Sequence, residues 1–184
     1  MSALASSSQL RASFIRWSLF LVPGVVLLGA LSGTAGGGAN TPWFAALVKP
    51  SLFPPPATFG IVWTILYVLM GFALALVVTA RGAPGRSAAI IVFVLQLALN
   101  LAWTPLFFGA HQITGALALL GAIDLAVLLT VVVFWRVRPL AGTLLLPYLA
   151  WVLFATVLNW QFLEANPNAD GQEVSGAVTA VEFE

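Results

Sequence analysis

Apolar residues run through this chain in five blocks, and almost every charge falls in the gaps between them. Each block is about 20 residues long, enough at ~1.5 Å per residue to cross a hydrocarbon core of ~30 Å. The pattern predicts five membrane-spanning helices, over roughly residues 17–34, 60–80, 88–108, 113–135 and 140–162. The gaps at 109–112 and 136–139 are short, so the helices they join run antiparallel. The fold class expected is all-α: an integral membrane bundle of five transmembrane helices over residues 17–162. Residues 1–16 read as a flexible N-terminus and 163–184 as a disordered acidic tail. The first span follows Arg11 and Arg16 like a signal peptide, but it is longer than a signal core of ~7–15 apolar residues, so it is read as retained.

Composition narrows the chemistry. The chain of 184 residues is 61% hydrophobic, with seven basic and six acidic side chains. It has no cysteine, which excludes disulfides, thiolate metal sites and cysteine nucleophiles. A net charge of +1 with no basic stripe argues against nucleic acid. Arg11, Arg16, Arg81, Arg86, Arg136 and Arg138 all fall on one side of the predicted bundle, against Lys49 and His111 on the other. That bias predicts a cytoplasmic N-terminus and an exoplasmic C-terminus, in a bacterial cell membrane. Of seven tryptophans, Trp17, Trp43, Trp135 and Trp160 lie near span ends, where indoles collect at the interface. Trp63, Trp103 and Trp151 need another account.

The loop at 39–59 is more than a linker. Thr41-Pro42 has the form of a helix N-cap with proline at the first helical position, and Trp43, Phe44 and Leu47 then share one face of a short helix. Pro50 and the run Pro54-Pro55-Pro56 make the following segment a stiff extended strap. A rigid apolar strap between spans is expected to lie across the mouth of the bundle as a lid.

Polar and aromatic residues recur on stripes inside the spans. Trp63 and Tyr67 are four apart in the second span and share a face. In the third, Gln96, Asn100, Trp103 and Phe107 form one stripe, with Asn100 about 13 Å below the helix exit at ~1.5 Å per residue. In the fifth, Tyr148, Trp151, Ala155 and Asn159 form another. All three stripes reach the half of the bundle that the strap covers. Apolar walls, aromatic faces and a few amides are what a covered ligand pocket requires. Gln96 alone reads as interhelical glue.

Asp124 is the one ionisable residue inside a span. A carboxylate at that depth is costly, and both a structural role and a ligand or proton role are open to it. His111, alone in a short loop, reads as a solvated turn residue. No cluster of His and carboxylates exists for a metal, and no catalytic triad or acid–base pair is present. Gly29-x-x-x-Gly33 favours tight packing by the first span.

The segments WFAALVKPSLFPPP, GIVWTILYVLMG, QLALNLAWTPLFFGAHQ, AIDLAVLL and RPLAGTLLLPYLAWVLFATVLNW, in this order, resemble the TspO/MBR (translocator protein) family over residues 41–162. The resemblance implies a five-helix bundle, commonly a homodimer, with a pocket under the first loop for porphyrins, haem-like tetrapyrroles and aromatic drug-like compounds. It implies ligand contacts from Phe44, Pro54, Trp63, Tyr67, Asn100, Trp103, Trp151, Ala155 and Leu158, and Phe107 joins them from the stripe. The tetrapyrrole is a ligand here; no cofactor is expected. The chain departs from the family at Leu52, where a lid tryptophan is usual, which puts stacking by the lid in doubt. It also departs at Trp160, where animal members carry the tyrosine of a cholesterol motif. Phe44 replaces the tyrosine of some bacterial members. The function expected is a receptor or transporter for tetrapyrroles. Light-dependent porphyrin breakdown and a ligand-sensing regulatory scaffold are the alternatives.

Overall fold

The computed structural model describes residues 7–172, and among these all regular structure is helical. Five helical spans are long and apolar enough to cross a membrane. α1 (Ser7–Thr34) is the first. It starts ten residues before Trp17, so residues 7–16 are helical rather than flexible as the sequence suggested. That stretch holds no Gly or Pro to stop a helix. Hydropathy marks where a helix leaves hydrocarbon, which is not where it ends. Residues 1–6 and 173–184, which include most of the expected acidic tail, lie outside the described residues.

After α1 the chain turns through a 3-10 segment, Ala35–Asn40, with Gly36, Gly37 and Gly38 at φ 73°, 79° and 58°. Left-handed φ at three successive positions is tolerated because none carries a Cβ. α2 (Pro42–Ala46) follows, capped as expected: Phe44 N–H donates to Thr41 Oγ1 at 3.3 Å. The strap then leads to α3 (Pro56–Thr79), which begins on the third proline, where the missing N–H costs nothing.

α4 (Arg86–Thr104) passes into a π-helical turn, Pro105–Gly109. Pro105 has no N–H to donate to the Leu101 carbonyl. Ser32 of α1 takes that carbonyl instead, its hydroxyl donating at 2.6 Å. The wide turn closes with Ala110 N–H donating to Pro105 O at 2.9 Å. α5 (Ile113–Val137) is followed by a last span in two pieces, α6 (Pro139–Leu144) and α7 (Leu146–Ala165), interrupted just before Pro147.

α1 packs on α3 through two small residues. A Cβ on Gly71 would lie 2.6 Å from the backbone of Val22, and one on Gly29 would overlap the Tyr67 ring. The main core runs between the helices through Met70, Phe93, Ile123, Phe134 and Tyr148. Gln96 is fully buried and accepts from the Tyr148 hydroxyl at 2.9 Å, joining α4 to α7 as glue. Tyr148 thus belongs to the core and not to a pocket wall. The arginines at the start of α1, in the α3–α4 turn and in the α5–α6 turn sit at the end of the bundle opposite α2 and the strap, as the antiparallel path requires.

Candidate ligand cavity under the lid

At the α2 end the helices do not close. They enclose a cavity of about 390 Å³ between α1, α3, α4, α5 and α7, with α2 and the strap above it. Nine of the ten expected contact residues line it: Phe44, Trp63, Tyr67, Asn100, Trp103, Phe107, Trp151, Ala155 and Leu158. The tenth, Pro54, does not. Phe53 and Pro56 face inward in its place, because the strap turns at Pro50, where Phe53 N–H donates to the Pro50 carbonyl at 3.0 Å.

The aromatic lining falls into two groups of touching rings, Trp63 with Tyr67 and a larger group under the lid. Trp63 stacks on Tyr67 with centroids 5.3 Å apart, and Trp103 stacks on Phe107 at 5.0 Å. The π-turn aims Phe107 and Phe108 under the lid, where Phe44 meets their edges at 6.3 Å and 5.1 Å. Leu52 is 51% exposed and points away. The ring that the strap supplies is Phe53, against Phe44, Phe59 and Phe162 at 5.9, 5.4 and 5.6 Å. Leu52 itself is not part of the cavity lining.

Polar groups in the wall are few. Tyr67 hydroxyl donates to Asn100 Oδ1 at 3.0 Å, both residues being buried. Gly29 makes this possible, since any side chain there would push the tyrosine ring off its line. Asn159 Nδ2 donates to the Ile113 carbonyl at 3.0 Å, which fixes the turn into α5 against α7. Asp124 is outside the lining. Its Oδ2 accepts from Thr156 of α7 at 2.8 Å, so the interaction seen is an α5–α7 tie. Among the described residues no group of His and carboxylates is placed to hold a metal.

The lid is tied down on its outer side. Lys49 folds back over the Phe44 ring, its ammonium 4.3 Å from the centroid, and donates to the carbonyls of Phe44 and Leu47 at the end of α2. Partial burial lowers its pKa from the ordinary lysine value. Trp43 is 3% exposed, so it is a core residue of the lid and not an interfacial one. Its indole stacks on His111 at 4.6 Å and donates to the Ala169 carbonyl at 3.3 Å. His111 is thus a half-buried turn residue at φ 56° that also packs on the lid.

The start of the supposed disordered tail holds this arrangement. Asn166 Oδ1 accepts from Val48 N–H at 2.8 Å and its Nδ2 donates to Val48 O at 3.0 Å, reading the strap backbone from both sides. Asp170 accepts from Thr114 N–H at 3.1 Å, and Gly171 N–H donates to His111 O at 2.8 Å. Low hydropathy there reflects backbone-directed hydrogen bonding. The sequence also gave no sign of the α1 wall, Val26, Gly29, Ala30 and Gly33, whose residues carry neither ring nor polar group. The one available signal was the glycine pair, read only as packing.

The profile of the TspO/MBR family matches residues 20–164. Over 152 residues the chain is 37% identical to the tryptophan-rich protein TspO of Chlorobaculum tepidum, which covers 82% of this chain and 96% of that protein. It is 43% identical to the translocator protein of Homo sapiens over 125 residues, 67% of this chain and 74% of that one. It is 36% identical to the tryptophan-rich sensory protein of Cereibacter sphaeroides over 155 residues, covering 83% and 94%. This chain, an integral membrane protein of five helical spans, belongs to the TspO/MBR family.

Proposed function

We propose that the protein is a membrane receptor or transporter for porphyrins or related tetrapyrroles, bound in the cavity under the lid. The observation that carries this reading is a wall of three indoles, Trp63, Trp103 and Trp151, around a space of about 390 Å³ with one polar pair, Tyr67–Asn100. A flat π-system is the ligand that such walls favour, by offset stacking worth roughly 0.5–1.5 kcal/mol per ring pair beyond area burial. The size falls in the range of ~300–1,000 Å³ usual for small-molecule sites. Asn100 suits a pyrrole edge or a propionate, the two polar features of a porphyrin. Homodimeric assembly and a cytoplasmic N-terminus belong to the same proposal, the second on the charge bias.

Purified protein is titrated with protoporphyrin IX in the dark, following tryptophan quenching, with Trp151→Phe and Asn100→Ala beside the wild type. Saturable quenching that weakens in both variants, with the helical spectrum retained, is the expected result. Unchanged affinity in both would remove the cavity as the site.

A further inference from the structure

At the arginine end of the bundle, Ser13, Arg16, Trp17 and Phe20 of α1 meet Arg81 of the α3–α4 turn around a groove of about 250 Å³. We propose that this groove binds the phosphate headgroup of an anionic membrane phospholipid, with its acyl chain lying inward along α1.

The four α1 residues recur at i, i+3, i+4 and i+7, so they form one face. They also descend the membrane in order over about 10 Å, at ~1.5 Å per residue. The hydroxyl and the guanidinium come first, then the indole, then the phenyl ring, which is the order of polarity of a lipid from phosphate to chain. Arg16 Nε is held to the Ala12 carbonyl at 3.3 Å, which leaves its terminal nitrogens free to donate. Neither Arg16 nor Arg81 has an ion pair among the described residues. The carboxylates among those residues are Asp124 in mid-α5 and Glu164 and Asp170 at the lid end. Two guanidiniums therefore line one groove with no carboxylate of the described residues near them. A guanidinium presents a planar fork of donors that matches phosphate oxygens, and basic pockets between transmembrane helices are suited to anionic headgroups.

A soluble phosphate would satisfy the charges but not the floor. Trp17 is 39% and Phe20 75% exposed on the inward side of the arginines. An acyl chain attached to the phosphate covers that surface, and a free anion leaves it bare. Charge and apolar surface together select the lipid. The groove lies at the opposite end from the cavity, so this assignment is independent of the tetrapyrrole reading.

The test is lipid retention on the purified full-length protein, counted by native mass spectrometry after exchange into a mixture of phosphatidylglycerol and phosphatidylcholine. The wild type is expected to keep phosphatidylglycerol in preference. Arg16→Gln/Arg81→Gln is expected to lose that preference by roughly tenfold or more, the worth of a charge-assisted hydrogen bond to the phosphate. Arg136→Gln/Arg138→Gln removes the same charge from the same end outside the groove, and is expected to keep it. Equal loss in both pairs would reduce the effect to net charge and overturn the site. So would absence of any preference in the wild type, a result that needs no variant to fold. Addition of sn-glycerol 3-phosphate or inorganic phosphate at millimolar concentration is expected to leave the lipid bound; displacement would make this a free-anion site and defeat the lipid assignment. A thermal melt of each variant confirms that the bundle is intact.

Discussion

Substituting Gly29 tests how the bundle presents its polar pair. An alanine Cβ at this position overlaps the Tyr67 ring, so either α1 backs away from α3 or the ring rotates. Overpacking of this kind costs about 1–3 kcal/mol. Rotation also breaks the Tyr67–Asn100 bond of 3.0 Å, worth about 0.5–1.5 kcal/mol. Against these, Ala in place of Gly within a helix gains about 1 kcal/mol. The balance is a destabilisation of about 2 kcal/mol, or a melting midpoint lower by roughly 4–8 °C for a chain of this size. Gly33→Ala is the matched control: no atom lies within 4 Å of its added Cβ, so only the helix gain remains. The two variants are compared by thermal unfolding in one detergent. Gly29→Ala should also blunt porphyrin quenching. If it melts with Gly33→Ala, the close approach of Tyr67 to α1 is wrong. A double variant with Tyr67→Ala checks the cause, since removing the ring should remove most of the penalty.

Three further outcomes follow from particular contacts. Ser32→Ala strips the Leu101 carbonyl of its donor at a cost of about 1 kcal/mol, and Pro105→Ala in the same chain should recover it by restoring a main-chain donor; an unfolding titration that shows no recovery counts against the exchange. Asn166→Ala frees Val48 on both its N–H and C=O, a loss of about 1–3 kcal/mol at the lid, read as faster amide exchange over residues 43–48 and faster porphyrin dissociation with the spans unaffected. Phe53→Ala should weaken porphyrin binding while Leu52→Ala leaves it unchanged, because only Phe53 turns inward; the reverse order in a quenching titration would relocate the lid contact.

The clasp by residues 166–171 also affects how binding and scaffold readings are separated. Deleting the chain after Asn166 would remove the acidic tail, the segment through which a scaffold would signal. Ala169, Asp170 and Gly171 hold Trp43, Thr114 and His111, so that deletion loosens the lid as well. Truncation after Gln172 is the cleaner cut.

The solvent, the number of crossings, their antiparallel path and the arginine-rich end all follow from local sequence, because burial of apolar side chains in lipid depends on each segment alone. So do the stripes of Trp63, Tyr67, Asn100, Trp103 and Trp151, since helical period alone puts these residues on common faces. The cap at Thr41 was legible for the same reason: it is satisfied within four residues. What depended on a partner far along the chain was not. Ser32 answers a proline about seventy residues away, Gly29 makes room for Tyr67, and Asn166 pairs with Val48. Trp43 and Trp160 look alike as residues near span ends, yet one is 3% and the other 50% exposed. Their difference lies in whether another segment folds over them, and only the packed chain determines that.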